Sequence, residues 1–170
     1  MNSIIVNSDG FLLFNGKKYK CAIGKNGISN SKQEGDDTTP EGSYKIRKIY
    51  YRSDRLKKPD SPFVTEELKK SDGWCDDPSD PKYNQFVSLP YLASHEELWR
   101  EDNLYDIIVV LGYNDSPPVP GKGSAIFVHI ARPDYLPTAG CITLARDDLL
   151  EILRNCRKDT EVVIGNKMGL

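Results

Sequence analysis

The sequence predicts a mostly-β fold, and three observations carry that expectation. Short runs of alternating or continuous apolar residues recur along the chain. Asn15-Gly16 sits between two such runs and is a strong two-residue hairpin signal. Only Arg146 to Cys156 shows a long helical stripe, with Leu149, Leu150, Ile152, Leu153 and Cys156 on one side.

In chain order, Ser3 to Asn7, Gly10 to Phe14 and Lys18 to Ile23 read as strands. A polar loop rich in Gly, Ser, Asn and Asp follows, Gly24 to Thr39, closed by Pro40-Glu41-Gly42. Ser43 to Tyr51 alternates polar residues with Tyr44, Ile46 and Ile49, as a half-buried strand does. Between Arg52 and Asn103 periodicity is weak and prolines accumulate. So long a plain loop is uncommon, so this insertion is expected to hold short elements and to form a lid or cleft wall. Thr65 to Lys70 reads as a short helix and Phe86 to Leu89 as a short strand. Ser94 to Arg100 reads as a helical turn, with Ser94 as N-cap and Glu97 at the capping-box position. Tyr105 to Tyr113 and Ser124 to Ile130 lack alternation and are apolar throughout, the pattern of strands buried on both faces. The run CITL reads as a strand end, and Glu161 to Ile164 as a closing strand. No repeat and no linker divides the chain, so residues 1–170 read as one domain carrying an insertion at 52–103.

Composition excludes several classes. The net charge is −2, without the basic excess that nucleic-acid binding draws on. Apolar residues make up 38%, too many for a disordered chain at that charge. No stretch approaches the ~20 apolar residues of a bilayer span. The opening MNSIIVNSDG lacks the features of a secretory leader. The cysteines Cys21, Cys75, Cys141 and Cys156 contain no CxxC pair, which argues against structural zinc. Cys21 and Cys156 read as small buried hydrophobes.

The residues that carry chemistry lie late in the chain. His129 ends an apolar strand, and Cys141 follows Gly140 at the start of another apolar run. Neighbouring strands would set an imidazole beside a thiol, the arrangement of an activated cysteine nucleophile. A glycine before the nucleophile lets backbone N–H groups of Gly140 and Cys141 turn toward an oxyanion. Cys75 with His95 is a weaker pair, without the glycine or the flanking strands.

The segment GSAIFVHI…PTAGCITLARDDLLEIL resembles the L,D-transpeptidase catalytic domain (YkuD) family. His129 matches the base, Cys141 the nucleophile, Gly140 the motif glycine and Thr138 the motif serine. Thr39-Pro40-Glu41-Gly42-Ser43-Tyr44 is similar to an upstream turn of the family. Two positions depart: Ala139 replaces a second histidine, and Thr143 replaces a basic or amide residue, as in a Thr-Ala-Gly-Cys variant subgroup. The resemblance implies a mixed β-sandwich with the helix behind Cys141, its N-terminus lowering the thiol pKa. It implies a carbonyl, that of Ile130, orienting the imidazole. It implies acyl transfer on peptidoglycan stem peptides through a thioester, with no metal or cofactor. An amine would resolve the thioester as a 3→3 cross-link, and water would make the enzyme an L,D-carboxypeptidase. A substrate with free carboxylates calls for a cation near the thiol; Arg132, Arg146 and Lys122 flank the motifs, and Tyr113 ends the preceding strand. The substrate implies the cell envelope, whereas the absence of a leader leaves the cytoplasm open. The competing readings are another cysteine peptidase and a binding-only wall module that has lost activity.

Overall fold

The computed structural model describes residues 2–165. Fourteen strands and one α-helix follow one another along the chain: β1 (Ser3–Val6), β2 (Phe11–Phe14), β3 (Lys17–Ala22), β4 (Ile28–Ser29), β5 (Thr39–Pro40), β6 (Gly42–Tyr51), β7 (Thr65–Glu67), β8 (Asp72–Cys75), β9 (Phe86–Ser88), β10 (His95–Glu97), β11 (Ile107–Leu111), β12 (Phe127–Ile130), β13 (Ile142–Leu144), α1 (Arg146–Arg154) and β14 (Glu161–Ile164). The mostly-β, mixed-sheet expectation holds. The hairpin does too: Asn15 and Gly16 both take positive φ, 50° and 78°, and Phe14 pairs with Lys17.

The principal sheet runs β11-β12-β13-β3-β2-β1-β14-β6-β7, and β11 also pairs with β6. The order therefore closes on itself. Two strands make the corners by serving both layers, as in orthogonally packed sandwiches. β6 pairs with β14 through residues 42–45 and with β11 through residues 46–51. β3 pairs with β2 through residues 17–20, then with β13 through Cys21 and Ala22. β1–β14 and β12–β13 are parallel pairs, which makes the sheet mixed.

The interior between the layers is filled by residues such as Leu12, Ile49, Val109, Ile142 and Val162. Leu149, Ile152 and Leu153 of α1 join the same cluster, so the helix docks by its apolar stripe. Asp147 and Asp148 in its first turn and Arg154 in its last complement the helix dipole. Cys21 and Cys156 are buried and free, and both belong to this core.

The absence of alternation in β11 and β12 now has its cause. Side chains alternate between the two faces of a strand. Ile107, Val109 and Leu111 enter the inter-sheet core, while Ile108 and Val110 enter a second cluster outside the sandwich. Along β12, Val128 and Ile130 face the first core, and Phe127 faces the second. Leu68, Trp74 and Leu98 of the insertion, with Leu104 and Tyr105 immediately after it, cover this outer face. Trp74 packs edge-on against Phe127 at 5.2 Å, as a core anchor.

Two elements of the insertion differ from expectation. Thr65–Glu67 is strand β7, not a helix, and extends the sheet parallel to β6. Only Leu68 in this segment is buried, so a helix would have no apolar stripe to dock. Ser94 caps no helix; its hydroxyl donates to Asp76 Oδ1 at 2.6 Å. His95–Glu97 is strand β10, paired with β8 in a small sheet ordered β10-β8-β9. An available β8 edge satisfies its backbone better than an isolated helical turn.

Asn84 ties the insertion to the sandwich. Its Oδ1 accepts from Trp74 Nε1 (2.9 Å) and the Ala125 N–H (3.0 Å). Its Nδ2 donates to the carbonyls of Tyr113 (3.0 Å) and Asn114 (2.8 Å). Asn84→Ala leaves these buried groups without partners and is expected to cost about 3 kcal/mol. Urea unfolding should show a lower midpoint at unchanged slope.

Candidate active site

β12 and β13 set the geometry. In their parallel register His129 stands beside Thr143, and Val128 beside Ile142. Cys141 lies two residues before Thr143, so its side chain shares the face of Thr143 and His129. That face is the outer one, beneath the insertion. The imidazole and the thiol line one cavity of about 340 Å³. They are not hydrogen-bonded to each other: the Cys141 thiol donates to the Ala125 carbonyl at 3.2 Å and accepts the Phe127 N–H at 3.4 Å.

His129 is 7% exposed. Its Nδ1 lies 3.1 Å from the Ile130 carbonyl. A carbonyl only accepts, so Nδ1 carries the proton and a neutral ring keeps its Nε2 lone pair. Tyr105 packs edge-on against the ring at 4.9 Å and restrains its tilt. Burial pulls the imidazole pKa down to about 4. The Ile130 and Leu104 carbonyls oppose that shift, while the guanidinium groups of Arg100 and Arg132 add to it. The ring is therefore neutral at physiological pH.

The thiol is neutral as well. Burial pushes Cys141 up to about 12, and the Glu96 carboxylate raises it further. The Phe127 N–H and Lys32 act in the opposite direction without reversing the shift. The expected help from the helix is missing. β13 separates Cys141 from Arg146, so the N-terminus of α1 opens at the far end of that strand.

The turn before Cys141 is held from both sides. Thr138 Oγ1 donates to the Cys141 carbonyl (2.7 Å) and accepts the Gly140 N–H (3.0 Å). The Gly140 N–H is thereby engaged inside the turn, and no such bond holds the Cys141 N–H among the described residues. Gly140 has φ +148°, and a Cβ there would stand 2.8 Å from the Thr38 carbonyl oxygen, so only glycine fits. The Gly140 carbonyl accepts from Thr39 Oγ1 at 2.8 Å, and that same oxygen accepts the Gly24 N–H at 2.8 Å. Thr39 opens the upstream Thr-Pro motif, so a buried hydroxyl joins the two motifs of the sequence.

The other sequence-derived candidates divide. Arg132, Thr138 and Gly140 line the cavity with His129 and Cys141. Tyr113, Lys122 and Arg146 do not. Tyr113 lies beyond the end of β11, where its ring packs edge-on against Tyr44 at 5.5 Å and its hydroxyl donates to the Lys122 carbonyl. Lys122 itself is exposed. Arg146 is exposed at the start of α1. The Tyr51 to Arg55 stretch is a salt-bridged turn, with Asp54 held by two 2.8 Å bonds from Arg52. Cys75 and His95 face each other in register across β8 and β10, but Cys75 is fully buried and the His95 Nδ1 is held at 2.8 Å by the Ala93 carbonyl.

Lys32, Glu34, Arg100 and Ser124 line the cavity without a signal of their own in the sequence, and Asp76 and Glu96 with only a polar setting beside an aromatic residue. Lys32 and Glu34 come from a polar loop, Asp76, Glu96 and Arg100 from an insertion without periodicity, and Ser124 from the start of the run that leads into β12. Tyr105 lies an odd number of residues from Ile108 and Val110, so a continuous strand would set it on the opposite face; it joins their cluster because β11 begins only at Ile107.

Comparison with solved structures finds the helical cell shape determining protein Pgp2 from Campylobacter jejuni, at 14% identity and a TM-score of 0.47, covering 99% of this chain and 48% of that one. A point mutant of the same protein gives 16% identity and a TM-score of 0.42 over the same shares. The chain thus spans about half the length of those structures. Comparison with curated proteins gives no match. A family model described as the L,D-transpeptidase catalytic domain, YkuD, matches residues 2–164, and the chain belongs to that family.

Proposed function

We propose that this chain performs cysteine-dependent acyl transfer on peptidoglycan stem peptides, in the cell envelope. Family membership supports the substrate class. The observation that carries the chemistry is the placement of a neutral imidazole and a thiol on one face of two parallel strands, inside a polar cleft. Residues 1–170 act as one catalytic domain, with 52–103 as an insertion that walls the cleft.

In this reading Cys141 is the nucleophile and His129 the general base. Burial raises the thiol and lowers the imidazole, and both directions favour the neutral pair at rest. The proton must leave sulfur as the S–C bond forms. The thiol first gives up the Ala125 carbonyl and donates to the free Nε2. Sulfur then adds to the carbonyl of the L–D bond before the terminal D-Ala. The oxyanion takes the Cys141 N–H, since that of Gly140 is engaged by Thr138. Collapse expels D-Ala, which takes the proton from His129. An amine of a second stem resolves the thioester as a 3→3 cross-link; water resolves it as a carboxypeptidase would. Nucleophile and base suffice for both outcomes, with no cofactor required. Arg132 lines the cleft without an ion pair among the described residues and is the cation offered to a stem carboxylate.

Incubation with disaccharide-tetrapeptide, read by mass spectrometry, tests this directly. Wild type should release D-Ala and show a thioester adduct on Cys141, and Cys141→Ala should show neither. Dimers identify a transpeptidase and tripeptide monomers a carboxypeptidase. Ligand binding without any D-Ala release by wild type would favour the binding-only reading.

Protonation of His129 removes the base, so the acid limb of kcat/KM should fall near pH 4 rather than near 6.5, the ordinary histidine value. The same shift governs stability. The unfolded chain binds the proton between pH 6.5 and 4 and the folded chain does not, so the contribution is complete above 6.5 and is lost as pH falls toward 4. The loss amounts to about 3 kcal/mol. Urea unfolding of His129→Gln across this window should show a correspondingly shallower pH slope than wild type.

Thr39→Val keeps the shape and removes both bonds of the hydroxyl, the one to the Gly140 carbonyl in the Cys141 turn and the one from the Gly24 N–H. A fall in kcat of about tenfold is expected, with KM little changed, because the misplaced group is the nucleophile.

A further inference from the structure

The charges around the cleft do not cancel as they stand. Two of its three cations are already committed to acids: Lys32 to Asp36 at 2.9 Å, and Arg100 to Asp102 at 2.9 and 2.6 Å. Arg132 is the third. Against it stand three carboxylates with no ion pair among the described residues, Glu34, Asp76 and Glu96. Glu34 Oε1 accepts from Tyr83 and Ser124, and Asp76 Oδ1 accepts from Ser94. Glu96 Oε1 accepts from Tyr105 at 3.1 Å, and its second oxygen has no partner.

Glu96 stands out among the three. β10 pairs Glu96 with Trp74 and holds it over the cavity. Its charge acts on Cys141. Desolvation raises its own pKa, the Tyr105 hydroxyl and the Arg100 guanidinium oppose that shift, and the carboxylates of Asp76 and Glu34 add to it. The cation that acts on Glu96, Arg100, is already paired with Asp102, so a further positive charge from a ligand would stabilise this wall. A second, independent group points the same way. Thr143 Oγ1, 2% exposed, lines the same cavity and has no hydrogen-bond partner. The Thr143 hydroxyl and the second Glu96 oxygen can both accept hydrogen bonds, and neither has a partner among the described residues.

We propose that Glu96, backed by Asp76 and Glu34, forms an ammonium subsite beside Cys141, which receives a primary amine of the ligand that reaches the thiol. Resting on the peptidoglycan reading, the amine comes either from the side chain of the acyl donor or from the acceptor that resolves the thioester. The protonated amine donates to the free Glu96 oxygen and restores charge balance on that wall.

Cys141 itself reports on the subsite through thiosulfonate reagents of different charge. Its sulfur attacks the sulfenyl sulfur, a disulfide forms, methanesulfinate leaves, and the thiol proton passes to solvent. Rates are read at Cys141 by peptide mass spectrometry, with 2-aminoethyl methanethiosulfonate as the ammonium probe and methyl methanethiosulfonate as the neutral one. In wild type the ammonium-to-neutral rate ratio should exceed that of free cysteine by about tenfold. Glu96→Gln keeps an oxygen for Tyr105 and should bring the ratio back to the free-cysteine value. A wild-type ratio no higher than free cysteine overturns the proposal without any variant. A Glu96→Gln protein in which both rates change equally also overturns it, since that marks a structural role.

Stem peptides then identify the source. If N-acetylation of the donor side-chain amine slows acylation of wild type but not of Glu96→Gln, the subsite serves the donor. If acylation is unaffected and Glu96→Gln shifts products from dimers to tripeptide monomers, it serves the acceptor. Failure of every stem peptide to acylate Cys141 removes the peptidoglycan reading, and the reagent ratios still decide the subsite.

Discussion

Burial of β11 and β12 on both faces is the constraint from which the rest of the architecture follows. One face closes the sandwich. The other carries Ile108, Val110, Phe127 and His129 and would lie bare without the insertion. Covering that face costs backbone order over some fifty residues, and the apolar surface of Trp74, Leu98, Leu104 and Tyr105 offsets the cost. The cover is incomplete at one end, where His129 and Cys141 meet the cavity. The cleft is thus the unfilled remainder of a second hydrophobic core, and its walls are as firm as that core.

This origin explains the electrostatics. A site cut into an apolar layer is poorly hydrated, so neutral forms prevail. The imidazole is driven down and the thiol up, each chiefly by burial. Such a pair is quiet at rest. A thiol in this condition resists casual oxidation and alkylation, because the thiolate is the reactive species. Tyr105 makes two contacts here: its ring bears on His129, and its hydroxyl holds Glu96.

The parts legible in the sequence are those whose pattern is local. Asn15-Gly16 names its own turn, the stripe of α1 names its docking face, and the two-sided apolar runs name the central strands. His129 and Cys141 were readable as neighbours because β12 and β13 are joined by one loop. What failed relied on nearness along the chain. Arg146 and Tyr113 adjoin the motifs in sequence, but a strand and a chain turn carry them away from the cavity. β7 and β10 escaped notice because three-residue strands have no period, and their pairing depends on edges supplied elsewhere. Glu96 was hidden for the same reason: only the register of β10 on β8 decides which of His95, Glu96 and Glu97 looks into the cleft.

The closed order of the principal sheet bears on how any peptide can be held. β12 and β13 are paired along both sides. A ligand at Cys141 therefore gains no ladder of main-chain bonds from either of these two strands. The main chain beside His129 and Cys141 is used up by the fold itself, and what those strands leave to a ligand is their side chains and the turn that precedes the thiol.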